Sequence, residues 1–231
     1  PLALGYEQVN LFGVSYGTQL GMIILRENPT YVRSVILDSV LNPSAQMFAD
    51  SAQNFYEALG NLEAACRSDL ACRLAYPHLH ETYEATYDRL AQQPEDFTVN
   101  GQTVTLTAGF FASRVRYTLA DTSALNTIPA FITAIAERDY DVLESFVKGV
   151  FATEVQNLPN QALYIPMVCS DGAYHSSLEA IEAAQANYHE AYRVAGFYAD
   201  SYRQCLAWGE IPPFDNTMPQ SDIPTLLLSG H

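Results

Sequence analysis

The pentapeptide Gly13-Val14-Ser15-Tyr16-Gly17 stands directly behind the apolar run Val9-Asn10-Leu11-Phe12 and directly ahead of a helix-like stretch from Thr18 to Arg26. That context constrains the fold more than any other feature of the 231-residue chain. A strand that turns into a helix within a residue or two brings two backbones close together, and small residues at both glycine positions allow it. The serine between them can then take a strained conformation that lifts its hydroxyl clear of the sheet. The helix that follows aims its first-turn N–H groups and the positive end of its dipole at the same spot. The pattern predicts Ser15 as a nucleophile, with the amide of Tyr16, the next residue, as a donor to a developing oxyanion.

A second apolar run, Ser34-Val35-Ile36-Leu37-Asp38, follows after a short connection through Asn28-Pro29, which gives strand, helix and strand at the spacing of a βαβ unit. A further strand is expected at Thr225-Leu226-Leu227-Leu228. Between them, residues from about 44 to 220 read mostly as helix. Phe48, Ala52, Phe55, Leu59, Leu62 and Cys66 recur at steps of four and three as one apolar stripe, with Ser44 as its cap, and Tyr83, Tyr87 and Leu90 continue the pattern in a second helix. Phe97 to Val104 alternates around Asn100-Gly101, a hairpin signal, and Thr107 can start the next helix. Further helices are expected over Ala108 to Leu119, Ser123 to Glu137, Tyr140 to Val147 and Leu178 to Tyr202.

The stretch from Leu4 to Pro43 resembles the α/β-hydrolase peptidases of family S33, and within them the secreted tripeptidyl aminopeptidase and proline iminopeptidase branch. Two cysteine-bearing segments, Ala65-Cys66 to Cys72 and Met167-Val168-Cys169-Ser170-Asp171, look like the same branch, as does the far end from Ser221 to Gly230. The resemblance implies an α/β fold: a partial parallel sheet with a large, mostly helical cap inserted after the strand that follows the nucleophile helix. In that reading residues 1–43 are hydrolase core with the elbow, 44–220 the cap, and 221–231 the return to the core. The family's acid would fall two residues past His231 and its histidine further on, so the chain is expected to be an internal fragment without turnover of its own. Of the two oxyanion donors in such folds, only the one from Tyr16 is expected here. Acidic cap residues in the aminopeptidase-like relatives hold the substrate's N-terminal ammonium, and Asp171 is the residue expected to do so here, against the alternative of a turn aspartate before Gly172.

Other titratable residues carry weaker expectations. His231 occupies a turn position before the acid and is rejected as the base, while His78, His80, His175 and His189 read as surface or satisfied interior residues of the helical section. Asp38 ends the strand after the nucleophile, where some α/β-hydrolases carry their acid, but it reads better as a turn residue before Asn42-Pro43. Glu179 and Glu182 look like a solvated first helical turn, and Tyr164, Tyr174, Tyr188, Tyr192, Tyr198 and Tyr202 like packing.

Four cysteines is an even count: Cys66 with Cys72 closes a short loop at the end of one helix, and Cys169 with Cys205 remains. Two disulfides are the expectation, against four buried free thiols in a cytosolic enzyme. Zinc-ligand spacing is absent. With 11 basic against 26 acidic residues, the net charge of −15 disfavours nucleic acid or anionic membrane as a partner, and no apolar run reaches the length of a membrane span. The expected function is a secreted or periplasmic serine exopeptidase that acts on peptides with a free N-terminus and needs no cofactor. An esterase of the same fold is the alternative within enzymes, and a non-catalytic peptide-binding module with a vestigial elbow the alternative outside them.

Overall fold

The computed structural model describes residues 2–99, 101–139, 141, 166–173, 176–193, 199–209 and 215–229. The chain divides into two compact units, one formed by Pro1–Ala45 with Pro213–His231 and the other by Gln46–Pro212. The helix expected over Tyr140 to Val147, together with Asn100, Tyr164, Tyr174, His175, Tyr198 and His231, lies outside the described residues, apart from Asp141.

In the first unit, strand β1 (Val9–Val14) leads through Ser15 into helix α1 (Tyr16–Glu27), and a 3-10 turn at Pro29–Tyr31 feeds strand β2 (Val32–Asp38). Strand β5 (Thr225–Leu228) arrives from the far end of the chain and pairs with β2, so the order is β1-β2-β5 with all pairs parallel. This is a mixed α/β arrangement with a small parallel sheet. Register places Phe12 beside Ile36 and Ile36 beside Leu226, and one step on Gly13 beside Leu37 and Leu37 beside Leu227. Because side chains alternate along a strand, Val35 and Leu37 share the face that packs on α1, where Met22, Leu25 and Val32 are also buried and Leu11, Ile24 and Ile223 close the edge. Each such side chain contributes about 1.5–3 kcal/mol relative to exposure. The alternate row points the other way: Phe12, Ile36 and Leu226 are 66, 36 and 53% exposed. Helix α1 ends at Asn28-Pro29, and Arg26 in its last turn donates to the carbonyls of Asp215 (3.1 Å) and Thr217 (2.9 Å), which ties the approach to β5 back onto the helix.

The second unit contains α2 (Ser51–Ser68), α3 (Leu70–Ala75) and α4 (Leu79–Gln92), an antiparallel hairpin of β3 (Glu95–Val99) and β4 (Gln102–Leu106), α5 (Ala108–Leu119), α6 (Ile128–Glu137), α7 (Leu178–Gln185) and α8 (Ala199–Trp208). Gly101 takes φ 76° in the hairpin turn, and Thr107 caps α5 by accepting from the Phe110 amide at 3.1 Å, both as the sequence predicts. Its larger core gathers Phe55 and Leu59 from α2, Tyr83 and Leu90 from α4, Phe111 and Val115 from α5, and Phe131 and Ile135 from α6. A separate cluster joins Phe48, Val168, Cys169, Ile181, Tyr202 and Cys205.

Two expectations are corrected by these two clusters. The stripe starting at Phe48 is not one helix: α2 begins at Ser51 after Asp50, Ser44 caps nothing and instead gives its amide to Asn42 Oδ1 at 2.9 Å, and Phe48 turns into the smaller cluster. Nor is Leu178 to Tyr202 continuous. Helix α7 stops at Gln185 and a 3-10 turn at Glu190–Tyr192 follows, because Ile181 is buried in the smaller cluster and Ala191 and Tyr192 in the larger. The helix expected over Ser123 to Glu137 begins as a 3-10 turn at Leu125–Thr127 and becomes α-helical only at Ile128.

Both disulfides form. Cys66–Cys72 joins the end of α2 to α3 and closes a separation of 6 residues, while Cys169–Cys205 joins a π-helical turn (Val168–Gly172) to α8 across 36. Loop-closure entropy makes the longer bridge worth about 4 kcal/mol and the shorter about 2. The double variant C169S/C205S should therefore lower the urea midpoint more than C66S/C72S.

His80 is half-buried among α2, α4 and the 190s turn. Its Nδ1 lies 2.7 Å from the Tyr192 hydroxyl and its ring 4.9 Å from that of Tyr56. Burial lowers its pKa, against the opposing pull of Glu63 and Glu84 and with the help of Arg67. The same burial, with Glu84 beside it, pushes the Tyr192 phenol far up, so it stays protonated. A histidine whose folded pKa lies below its unfolded one binds fewer protons folded than unfolded, so stability falls as pH drops below the ordinary imidazole value of about 6.5. The stability advantage of the wild type over His80→Gln should shrink between pH 7.5 and pH 5 in urea titrations.

Candidate functional site

Ser15 sits between the last residue of β1 and the first of α1 with φ 53° and ψ −120°, a region that non-glycine residues avoid. Holding it there costs about 1–3 kcal/mol, and such a conformation persists only where the surroundings over-determine it. They do so here. The Ser15 amide donates to the Asp38 carbonyl at 3.0 Å, and the Ser15 carbonyl accepts from the Thr18 amide at 2.9 Å and from Thr18 Oγ1 at 2.6 Å. The side chain makes no capping bond to α1 and is exposed, so the hydroxyl projects from the turn.

Gly13 explains why the turn can be so tight. A Cβ there would fall 2.3 Å from the Gly17 carbonyl oxygen and 2.9 Å from the Thr18 nitrogen, both backbone atoms that cannot move aside. Gly17 is different: a Cβ would meet nothing within 4 Å, which corrects the expectation that both glycines are sterically required. Its position inside α1 with ordinary helical geometry removes the reason for a glycine. A third glycine does matter, since a Cβ on Gly21 would come 3.1 Å from Leu37 Cδ2 where α1 lies on β2.

Tyr16 opens α1, so its amide belongs to the first turn at the positive end of the helix dipole. Asp38 lies beside Val14 in the register, at the end of β2. Its carbonyl holds Ser15, its carboxylate accepts from Ser39 Oγ at 3.2 Å, and Ser39 follows with φ 56° and its amide on the Leu228 carbonyl at 3.0 Å. Thr18, fully buried, also belongs to this constellation, its Oγ1 accepting from the Leu41 amide at 2.9 Å. The sequence offers no signal for it beyond a hydroxyl residue in the first helical turn.

The structure thus brings Ser15, Tyr16, Thr18 and Asp38 together in the first unit. Asp171 belongs to the second unit, inside the π-helical turn of Val168–Gly172 that the Cys169–Cys205 bridge anchors, directly before Gly172. Of the histidines, His78, His80 and His189 are in the second unit; His189 accepts from the Ala191 amide and faces Asp88 at 3.3 Å, and His78 faces Glu81 at 3.5 Å. Among the described residues the first unit holds no histidine.

No family model matches the chain. A stretch of 75 residues is 35% identical to the serine protease Hip1 of Mycobacterium tuberculosis, covering 31% of this chain and 14% of that protein, and the Mycobacterium bovis protein of the same name gives the same figures. Over 42 residues the chain is 50% identical to the tripeptidyl aminopeptidase of Streptomyces lividans, covering 18% of this chain and 8% of that protein. The chain therefore matches only a small part of the length of these relatives. At that coverage the similarity supports a serine hydrolase of the peptidase kind in coarse terms.

The two glycines of the elbow should respond differently to a methyl group. Gly13→Ala should cost more than about 3 kcal/mol, since backbone must give way. Gly17→Ala, in a helix with open space, should be neutral or stabilise by up to about 1 kcal/mol. Urea unfolding of the two variants measures the difference.

Proposed function

We propose that this protein is a serine peptidase of the α/β-hydrolase type that removes short units from peptide N-termini through an acyl-enzyme on Ser15. The observation that carries the reading is the strained serine at a strand-to-helix turn, held by hydrogen bonds on both its peptide groups. Residues held in such conformations cluster at active sites and ligand clamps. The short similarities to a serine protease and a tripeptidyl aminopeptidase point the same way.

In the proposed reaction Ser15 Oγ attacks the carbonyl carbon of the scissile bond while its proton passes to a general base. The oxyanion of the tetrahedral intermediate takes a hydrogen bond from the Tyr16 amide, where the dipole of α1 adds to the attraction. The base then gives its proton to the departing amine, and water repeats the sequence on the acyl ester to release the acid and restore the serine. These steps call for no cofactor. The helical unit, inserted in the chain between β2 and β5, is the proposed source of substrate selection, and Asp171 the proposed partner of the substrate ammonium, as a charge-assisted hydrogen bond would make it. A secreted or periplasmic location goes with the reading, supported by the two disulfides. No described helix is long and apolar enough to cross a membrane.

The test uses the full-length protein. A fluorophosphonate probe should label it, and Ser15→Ala should abolish the label. Peptides with free N-termini should be cut and N-acetylated ones spared, and Asp171→Asn should lower kcat/KM on free peptides about tenfold or more. Equal cleavage of acetylated peptides would remove the amine-recognition part of the proposal, and absence of labelling would favour a binding module.

A further inference from the structure

We propose that Thr18 is a positioning residue whose hydroxyl orients and polarises the peptide between Ser15 and Tyr16, and with it the amide that faces the oxyanion; the inference rests on the reading of Ser15 as the nucleophile. The Ser15 carbonyl and the Tyr16 N–H belong to one planar trans peptide, and no cis bond occurs among the described residues. Fixing the direction of the carbonyl therefore fixes the direction of the N–H, which points the opposite way across the same plane.

Two donors do the fixing. The Thr18 amide reaches the Ser15 carbonyl at 2.9 Å and Thr18 Oγ1 reaches it at 2.6 Å. The sense of each bond is settled by chemistry. A carbonyl can only accept, so the Thr18 hydroxyl proton lies on Ser15 O; the Leu41 amide, 2.9 Å from Oγ1, can only donate, so it occupies an Oγ1 lone pair. The hydroxyl is a one-way relay from the loop after β2 to the elbow carbonyl. Its side chain is fully buried, which restricts the access of water to the hydroxyl.

The relay has two consequences. First, ψ of Ser15, at −120°, is the rotation that swings this peptide plane, and a carbonyl held by the amide alone has one tether instead of two. Second, a carbonyl that accepts two hydrogen bonds draws electron density from its own N–H, and that N–H becomes a stronger donor. Charge that develops on a substrate oxygen in the transition state gains from both. Initial binding of the substrate gains from neither.

The experiment follows fluorophosphonate inactivation of the full-length protein as a function of probe concentration, which separates the maximal inactivation rate from the half-saturating concentration. Thr18→Val keeps the shape and removes the hydroxyl. It should lower the maximal rate about ten- to hundredfold, within the range seen when an oxyanion donor is lost or misplaced, and leave the half-saturating concentration unchanged. Thr18→Ser, which restores the hydroxyl, should recover the rate to within about threefold of wild type. If valine proves poorly folded, the alanine and serine variants make the same comparison. A wild-type rate in Thr18→Val or Thr18→Ala overturns the proposal. So does a loss that appears only as a smaller labelled fraction at an unchanged rate, or an equal loss in the serine variant, because each describes a packing role. Failure of the wild type itself to label would instead remove the assignment of Ser15, which keeps the two ideas distinguishable.

Discussion

A serine held at φ 53° in a strand-to-helix turn is the costly element on which the first unit turns. Its amide can be satisfied only because β2 runs parallel to β1 in a register that presents the Asp38 carbonyl beside Val14. Its carbonyl is satisfied only because α1 starts at once and offers the Thr18 amide and hydroxyl. The helix can start at once because Gly13 has no side chain to strike the Gly17 backbone. Strand, register, glycine and helix start are thus one solution to a single problem, and a change in any of them relaxes the others.

The second unit solves a different problem, the burial of many aromatic rings that carry polar atoms. Tyr83 donates its hydroxyl to the Ala191 carbonyl at 2.7 Å, Tyr202 donates to Ser176 O at 2.7 Å, and Tyr192 meets His80. Each ring adds apolar area to a cluster while its one polar atom finds a partner, which is the condition for placing a phenol in an interior. Gln185, also buried, donates to the Phe48 carbonyl at 2.9 Å and so fastens the end of α7 to the segment that leads into α2.

What the sequence made legible was local. The elbow, the hairpin glycine, the Thr107 cap and the span of α5 each follow from a few neighbouring residues whose backbone preferences have one reading. The cysteine pairing was legible too, because the short Cys66 loop left one partner each for the other two. The failures came where distant residues decide. From Leu178 to Tyr202 the composition favours helix throughout, yet Ile181 and Tyr192 are claimed by different clusters, and nothing within that window reveals the conflict. Phe48 fell into the helical period by spacing alone. At the site, the pattern treats Gly13 and Gly17 alike although only Gly13 faces backbone, and it carries no sign of Thr18, whose two partners, Ser15 O and the Leu41 amide, come together only in the fold.

The pairing of β2 with β5 carries a consequence for how such a chain acquires its structure. Ile36 finds Leu226 only after some 190 residues of intervening chain have been made, whereas α4, the β3–β4 hairpin, α5 and α6 follow one another directly in sequence and share one core. During synthesis the inserted unit has the opportunity to collapse first, and a collapsed insert lowers the entropy lost when its two ends are joined. Until β5 docks, β2 keeps an open edge beside the apolar row that contains Ile36. The Ser15 turn itself needs only residues up to Leu41, so it can take shape before β5 arrives, while the Ser39 amide waits for the Leu228 carbonyl.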